Sequence, residues 1–217
     1  MNKEFIFLPN VEIELRLGTF NNKKFDSSID KNYFLKILHE LEYFVSNNNN
    51  NVTVEIIKTI EYIKNDSNNK NIKLIINEST NPNTENLIVK ENIITTTTVL
   101  DNSPFDVRFS VNQEILLNSE IHNFNKNTQN IVIRNKLRKS FIFSDYKYDL
   151  TSVVETINNL NKEKFEIEIE LIINNNTILW DENYIYDFLK CKIYDIIKII
   201  ESDSFEFNKL SLNLKNT

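Results

Sequence analysis

Two segments of this chain alternate strictly between apolar and charged residues. In residues 11–18, VEIELRLG, and again in residues 165–171, FEIEIEL, every second position is apolar. The charged positions between them are Glu12, Glu14, Arg16, Glu166, Glu168 and Glu170. A period of two is typical of β-strands whose two faces have different surroundings. The fold must therefore bring these acidic strand faces to a place that tolerates them.

Three further segments alternate in the same way, but their charged faces are mostly basic. They are FDVRFSVNQEI at 105–115, IVIRNKLRKSF at 131–141 and DYKYDLT at 145–151. Their polar faces carry Asp106, Arg108, Ser110, Asn112, Glu114, Arg134, Lys136, Arg138, Ser140, Lys147, Asp149 and Thr151. Strand faces in bulk water need no such sorting of acids from bases. We therefore expect the charged faces to converge inside the molecule.

A closed barrel with a polar interior satisfies this sorting if helices cover its apolar outer wall. Carboxylates on neighbouring strands repel one another unless a cation neutralises them. Oxygen ligands of this kind suit Mg²⁺ or Mn²⁺. The facing arginines and lysines then suit an anion with many oxygens, such as a polyphosphate. The residues alone thus predict a site for a metal ion and a polyphosphate.

Two segments have helical periodicity, and strands account for most of the remainder. Residues 30–45 and 181–202 are amphipathic, and Asp30 and Asp181 can cap their first turns. Eight or nine antiparallel strands follow from the other patterns, and they indicate an all-β barrel or an α+β sandwich. Two of these predicted strands are 86–93 (NLIVKENI) and 95–100 (TTTTVL). Asparagine-rich stretches predict loops at 47–51, 65–71 and 174–176.

The composition is that of one globular domain spanning residues 1–217. The net charge of -6 argues against binding duplex DNA, which needs a broadly positive surface. Cys191 is the one cysteine, so no internal disulfide can form; a reducing compartment fits, and we expect this residue to be buried in its helix. The sequence has no apolar run of membrane-spanning length and no signal peptide pattern, so we expect neither a membrane protein nor a secreted one.

The five segments together resemble the triphosphate tunnel metalloenzymes. Within that group they are most similar to the metal-dependent RNA triphosphatases of fungal, protozoan and large-DNA-virus mRNA capping. The matching motifs are Glu-x-Glu-x-Arg at 12–16, Arg-x-Ser at 108–110, Arg-x-Lys-x-Arg at 134–138, Lys-x-Asp-Leu-Thr at 147–151 and Glu-x-Glu-x-Glu at 166–170. Arg16 stands where many members have lysine. The composition, rich in asparagine, isoleucine and lysine, is similar to that of the viral members.

This resemblance implies a mainly β (α+β) fold, a closed eight-stranded antiparallel barrel with a charged interior and flanking helices. It implies removal of the γ-phosphate from 5′-triphosphate RNA with Mg²⁺ or Mn²⁺. By position, the implied metal ligands are Glu12, Glu14, Glu170 and Glu168. The implied phosphate-binding cations are Arg108, Lys136, Arg138, Lys147 and, less directly, Lys90. Arg16 and Arg134 are further implied catalytic positions. Asp149 would orient basic side chains, and Glu168 or Glu166 would orient the attacking water.

Other functions remain open from the sequence. An inorganic, thiamine or nucleoside triphosphatase, or a tunnel-type adenylyl cyclase, would share the early acidic strand. A module that binds polyphosphate or RNA ends without turnover would need no metal ligands. The expected partners are RNA 5′-triphosphate ends and nucleoside triphosphates, with guanylyltransferase and methyltransferase domains in the same chain. The expected location is the cytoplasm, in a viral factory of the host cell, with packaging in the virion as a further expectation.

Overall fold

In the computed structural model, residues 8–47, 52–65, 71–100, 103–126 and 131–201 are described, and they form nine strands and two α-helices. The strands are β1 (Val11–Asn21), β2 (Lys24–Asp26), β3 (Thr53–Asn65), β4 (Asn71–Asn77), β5 (Thr84–Thr98), β6 (Asp106–Leu116), β7 (Val132–Ile142), β8 (Tyr146–Ile157) and β9 (Leu160–Leu171). The helices are α1 (Lys31–Asn47) and α2 (Glu182–Glu201).

Eight of the strands close into an antiparallel barrel. Their order is β1-β6-β5-β4-β3-β7-β8-β9, and β9 pairs back with β1. The closing register places Glu14 opposite Glu170 and Arg16 opposite Glu168. The short strand β2 is the ninth and pairs only with the end of β1. The predicted eight-stranded tunnel is confirmed, and the alternative of an α+β sandwich is wrong.

The hydrophobic core lies outside the barrel wall, between the strands and the two helices. Ile13 and Leu15 of β1 and Ile167 of β9 are fully buried there, against Leu41 of α1 and Ile193 of α2. Because removing apolar surface from water drives this packing, the apolar face of each alternating strand turns outward. The charged face of the same strand must then turn into the barrel.

Both helices begin where the sequence predicts. Asp30 accepts a hydrogen bond from the backbone N–H of Asn32 at 2.7 Å, and Asp181 accepts one from Tyr184 at 2.8 Å. These contacts satisfy N–H groups that have no partner within the first helical turn. The expectation that Cys191 is buried is wrong, because it lies on the exposed face of α2. Within the described part of the chain, neither helix is long and apolar enough to cross a membrane.

Two features of the sheet differ from the sequence prediction. The segments 86–93 and 95–100 are mostly one strand, β5, whose register shifts between Asn92 and Ile94. Such a β-bulge bends a strand without ending it. Strand β2 was not predicted, because three residues are too short to show a period. The loop at 174–176 is confirmed, and most of the other two asparagine-rich stretches lies outside the described residues.

Candidate active site

The charged strand faces enclose a cavity of about 190 Å³ inside the barrel. Its walls are formed by Glu12, Glu14, Arg16, Ile57, Thr59, Glu61, Lys73, Ile75, Lys90, Glu114, Lys136, Arg138, Glu168 and Glu170. Eight of these residues were predicted as site residues: Glu12, Glu14, Arg16, Lys90, Lys136, Arg138, Glu168 and Glu170. The predicted residues Arg108, Arg134, Lys147, Asp149 and Glu166 face the interior but lie outside the cavity lining.

The carboxylates of β1 and β9 are paired with cations of the inner wall. Lys90 Nζ lies 2.5 Å from Glu12 Oε2 and 3.5 Å from Glu14 Oε1, so one ammonium group bridges both carboxylates. Arg16 contacts Glu14 at 2.9 Å and Glu168 at 3.2 Å. Glu12, Glu14 and Glu168 are therefore each paired with a cation, from the same strand, from an adjacent strand, or from β5 across β6.

Glu170 is a carboxyl group on β9 whose ionisation is disfavoured by burial. Its burial raises its pKa to about 7, although Lys147 at 3.0 Å opposes the shift. The charge of Glu12 adds to the effect of burial. This end of the cavity therefore carries more carboxyl groups than the neighbouring cations neutralise.

The predicted metal ligands fit a hard divalent cation by their chemistry and their placement. Glu12 and Glu14 lie on one strand face, Glu170 lies directly across from Glu14, and Glu168 lies two residues along β9. That Lys90 bridges Glu12 and Glu14 shows that this pair can share one cation. Among the described residues, no three acidic, histidine or cysteine side chains are gathered around one centre. To share a metal ion, the four carboxylates would have to turn away from their present partners.

Lys136 is a deeply buried cation on the opposite wall. Its Nζ donates a hydrogen bond to Glu61 Oε1 at 2.6 Å. Burial lowers the pKa of Lys136 to about 8, although the Glu61 carboxylate opposes the shift. The charges of Arg134, Arg138 and Lys73 lower the same pKa further. An anion that entered the cavity would relieve this crowding of positive charge.

Asp149 is a fully buried carboxylate that holds two cations of the inner wall. Its Oδ2 lies 3.3 Å from Arg138 and 3.3 Å from Lys147, and its Oδ1 accepts a hydrogen bond from Ser140 at 2.5 Å. Lys147 also lies 3.0 Å from Glu170, so Asp149 and Glu170 share its charge, and Arg138 is held by Asp149. The structure thus places Asp149 where it fixes the direction of Arg138 toward the cavity.

Arg134 and Glu166 are engaged with each other instead of with the cavity. Arg134 Nη2 donates to Glu166 Oε1 at 2.6 Å, and Glu155 and Glu61 lie 3.6 and 3.8 Å from its guanidinium. Glu166 also accepts a hydrogen bond from Ser27 at 3.1 Å. These contacts tie β7, β8 and β9 together, so Glu168 is the better placed of the two candidates for orienting water.

The sequence prediction missed two charged residues of the cavity wall. Glu61 on β3 and Lys73 on β4 line the cavity, and within the described chain no carboxylate lies at ion-pair distance from Lys73. Their strands carry isoleucine on the inner face as well, at Ile57 and Ile75. The alternation of apolar and charged residues is therefore broken there. Glu114 was assigned to the charged face of β6, but without a role.

A closed antiparallel barrel with opposed carboxylates and cations in its lumen defines a tunnel-type metalloenzyme. The sequence profile of the mRNA triphosphatase family, described as the beta chain of mRNA capping enzyme, matches residues 21–187. The chain belongs to this family. Its activity is that of an mRNA 5′-triphosphatase, a metal-dependent hydrolase that acts on RNA 5′-triphosphate ends in capping.

Solved structures show the same fold at low sequence identity. The RNA triphosphatase Pct1 of S. pombe is 17% identical, with a TM-score of 0.63, and the match covers 99% of this chain and 86% of Pct1. The mimivirus capping enzyme triphosphatase is 14% identical, with a TM-score of 0.60, over 92% of this chain and 93% of that one.

A second structure from mimivirus is the RNA triphosphatase domain of a trifunctional mRNA capping enzyme. It is 18% identical to this chain, with a TM-score of 0.56, and the match covers 92% of this chain and 95% of that domain. The mimivirus protein is thus a structural relative of this chain and not the same protein. Among curated proteins, none matches the sequence.

Proposed function

We propose that the barrel cavity hydrolyses the γ-phosphate of 5′-triphosphate RNA to leave a 5′-diphosphate end, the first step of mRNA capping. Water attacks the γ-phosphorus, the bond to the β–γ bridging oxygen breaks, and inorganic phosphate leaves. The main support for this function is the arrangement of charges in the lumen. Carboxylates of β1 and β9 lie on one side of a cavity of about 190 Å³, and cations of β4 and β7 lie on the other side. Phosphoryl transfer depends mainly on positioning and on charge stabilisation, and this lumen supplies both.

Glu12, Glu14, Glu170 and Glu168 would hold the metal ion, and we propose Mg²⁺ or Mn²⁺. When bound, such an ion neutralises developing charge on phosphate oxygens and acts as a Lewis acid. The four carboxylates offer only oxygen donors, which is the ligand type that these ions prefer. Lys90 now occupies the space between Glu12 and Glu14, so it would move toward the phosphate when they bind the ion.

Lys136, Arg138 and Lys73 would bind the phosphate oxygens from the opposite wall. All three line the cavity, and Lys73 brings a charge that no carboxylate of the described chain compensates at close range. Arg16 and Lys147 would hold the carboxylates in place, because each contacts one acid of β9. Arg134 would stabilise the barrel wall and would not contact the substrate, since three carboxylates surround it.

Glu168 would orient the attacking water. It lines the cavity, and the cations Arg16 and Arg138 hold its pKa well below the ordinary glutamate value in spite of its burial. A glutamate that stays ionised can accept a hydrogen bond from water over the whole working pH range. Glu166 does not share this role, because Arg134 and Ser27 occupy its Oε1.

We further propose that nucleoside triphosphates are substrates and that the diphosphate end passes to a guanylyltransferase. Among the described residues, those that line the cavity carry charges suited to a triphosphate, and none of them is an aromatic residue that could read a base. The relationship to one domain of a trifunctional viral capping enzyme supports guanylyltransferase and methyltransferase partners, in the same chain or in a complex. Action in the cytoplasm of an infected cell is a further part of this proposal.

The products formed from three substrates distinguish these possibilities. Triphosphate RNA, ATP and inorganic triphosphate are each incubated with the protein, and the products are separated. We expect diphosphate RNA and ADP to accumulate without rapid conversion to monophosphates. Release of pyrophosphate would indicate cyclase or pyrophosphohydrolase chemistry, and activity on inorganic triphosphate alone would indicate a small-molecule triphosphatase. Tight binding of these substrates without turnover would indicate a module that binds polyphosphate or RNA ends and does not hydrolyse them.

A further inference from the structure

Arg108 differs from the other arginines of the inner wall in how it is held. Arg16, Arg134 and Arg138 each contact at least one carboxylate. Among the described residues, no carboxylate lies at ion-pair distance from Arg108; its buried Nε has no hydrogen-bond partner, as is also true of Arg16 and Arg134. Its guanidinium carbon lies 4.6 Å from the centroid of the Phe25 ring. An aromatic face supports this cation where carboxylates support the others.

The Phe25 ring reaches this position through the hairpin that joins β1 to β2. Phe25 lies opposite Phe20, and the turn between the strands has positive φ angles at Asn22 (50°) and Lys23 (64°). Such angles are typical of the two-residue turns that close a hairpin tightly. The hairpin therefore folds back over the end of β1 and places the Phe25 ring beside Arg108.

Gly18 provides the space for this ring. An added Cβ at Gly18 would lie 2.7 Å from Cζ of Phe25 and closer still to the backbone oxygen of Asp26. Real Cβ atoms do not approach so closely, so any other residue would displace β2 together with the ring. Gly18 is the one glycine in the chain. A glycine inside a strand typically marks a close approach of another segment.

An aromatic ring and a carboxylate hold an arginine with different consequences. A carboxylate neutralises the charge and occupies the N–H donors in the plane of the guanidinium. A ring contacts only the face of the guanidinium, so the charge and the in-plane donors remain available to an anion. On the inner wall of this barrel, the expected anion is a phosphate.

We propose that Phe25 is a positioning residue that holds Arg108 as an uncompensated cation for binding a phosphate of the substrate. The inference rests on the proposed function for the identity of the substrate. Arg108 lies opposite Arg16 in the β1–β6 register, just beyond the cavity lining. Without the ring, repulsion from Arg16 and the pull of distant carboxylates would turn its side chain away. Gly18 acts indirectly, because its lack of a side chain leaves room for the Phe25 ring.

Substitutions at position 25 separate ring electrostatics from packing. Phe25→Leu removes the π face but keeps an apolar side chain, and Phe25→Tyr retains the face. Pentafluorophenylalanine at position 25 keeps the ring shape while reversing the charge distribution of its face. Phe20→Leu is the matched control, because Phe20 is an exposed ring on the same hairpin. Thermal unfolding of each variant shows whether its fold is retained.

We expect Phe25→Leu and the pentafluoro variant to raise KM for triphosphate RNA about tenfold while kcat stays within about twofold. Phe25→Tyr should restore the wild-type KM, and Phe20→Leu should equal wild type. In the Arg108→Lys background, Phe25→Leu should raise KM little further, because the ring acts on substrate binding only through Arg108. A pentafluoro variant with wild-type KM, or additive losses in the double variant, would overturn the inference.

Binding of inorganic triphosphate in the presence of a chelator provides a readout that does not depend on turnover. The dissociation constant should rise about tenfold in the pentafluoro variant and not in Phe25→Tyr. If the wild-type protein failed to hydrolyse triphosphate RNA, the proposed function would fail, while this difference in binding would still support the role of Phe25. Equal dissociation constants in all the variants would refute that role, whatever the turnover.

Discussion

Glu14 is a buried carboxylate of the proposed metal site. It lies directly opposite Glu170 and contacts both Arg16 and Lys90. Glu14→Gln keeps the shape of the side chain and removes its charge, so we expect turnover to fall at least ~10²-fold, the scale for losing one preorganised electrostatic group. Metal-dependent phosphate release measures the loss, and calorimetry with Mn²⁺ measures metal affinity. The exposed Glu163→Gln is the control, and equal turnover in the two variants would remove Glu14 from the metal site.

The lowered pKa of Lys136 predicts that activity declines at alkaline pH. Because burial lowers its pKa to about 8, its positive charge is lost as the pH rises through that value, while Glu61, with a pKa of about 2, stays ionised. The charged groups facing it are Glu61, Arg134, Arg138 and Lys73. We expect KM to rise above pH 8, and the alkaline decline to be absent in Lys136→Arg, because arginine stays protonated.

The same group has the opposite effect on stability. Between the folded pKa of about 8 and the ordinary lysine value of 10.5, the unfolded chain binds more protons at this position than the folded chain. The contribution of Lys136 to the free energy of unfolding therefore increases with pH across that window. Urea unfolding of the wild type and of Lys136→Met at pH 8 and pH 10 measures this contribution. A decrease in stability from this group over that range would contradict its lowered pKa.

At the scale of elements, prediction succeeded where each strand has one apolar and one charged face. β1, β6, β7, β8 and β9 follow that pattern, and their inner residues were identified from the sequence. β3 and β4 have isoleucines on both faces, because part of the lumen wall is apolar at Ile57 and Ile75. A period-two pattern cannot show which face of such a strand is inside. The inward orientation of Glu61 and Lys73 therefore follows only from the register of β3 with β7 and of β4 with β5.

The packing of α2 on the outer barrel wall makes a prediction about stability. Ile193 is fully buried in the core between this helix and the strands. Ile193→Ala should lower the free energy of unfolding by about 2–5 kcal/mol, because the helix and the wall cannot close the cavity completely. The neighbouring Cys191→Ala, on the exposed face, should cost much less. Urea unfolding compares the two, and equal losses would show that α2 does not form the cover of the barrel.

At the scale of the whole molecule, the barrel reverses the usual arrangement of a globular protein, with charges inside and apolar residues outside. The sorted alternation was enough to predict this, because five charged strand faces need a shared interior. The particular ion pairs were not predictable, since they depend on which strands become neighbours. Arg134 and Glu166, for example, meet across β8 although 32 positions separate them in the chain. The sequence predicts both as active residues, and in the structure they pair with each other outside the cavity lining.

If the lumen charges converge on a metal-bound triphosphate end, hydrolysis of that end requires the metal ion. The most direct measurement is the release of labelled phosphate from RNA carrying a γ-labelled 5′-triphosphate, with Mg²⁺, with Mn²⁺ and with a chelator. We expect multiple turnovers with either metal, diphosphate-ended RNA as the product, and no release with the chelator. Release at an undiminished rate in the chelator, or no release with any metal from a protein that unfolds cooperatively, would show that the lumen is not a metal-dependent triphosphatase site.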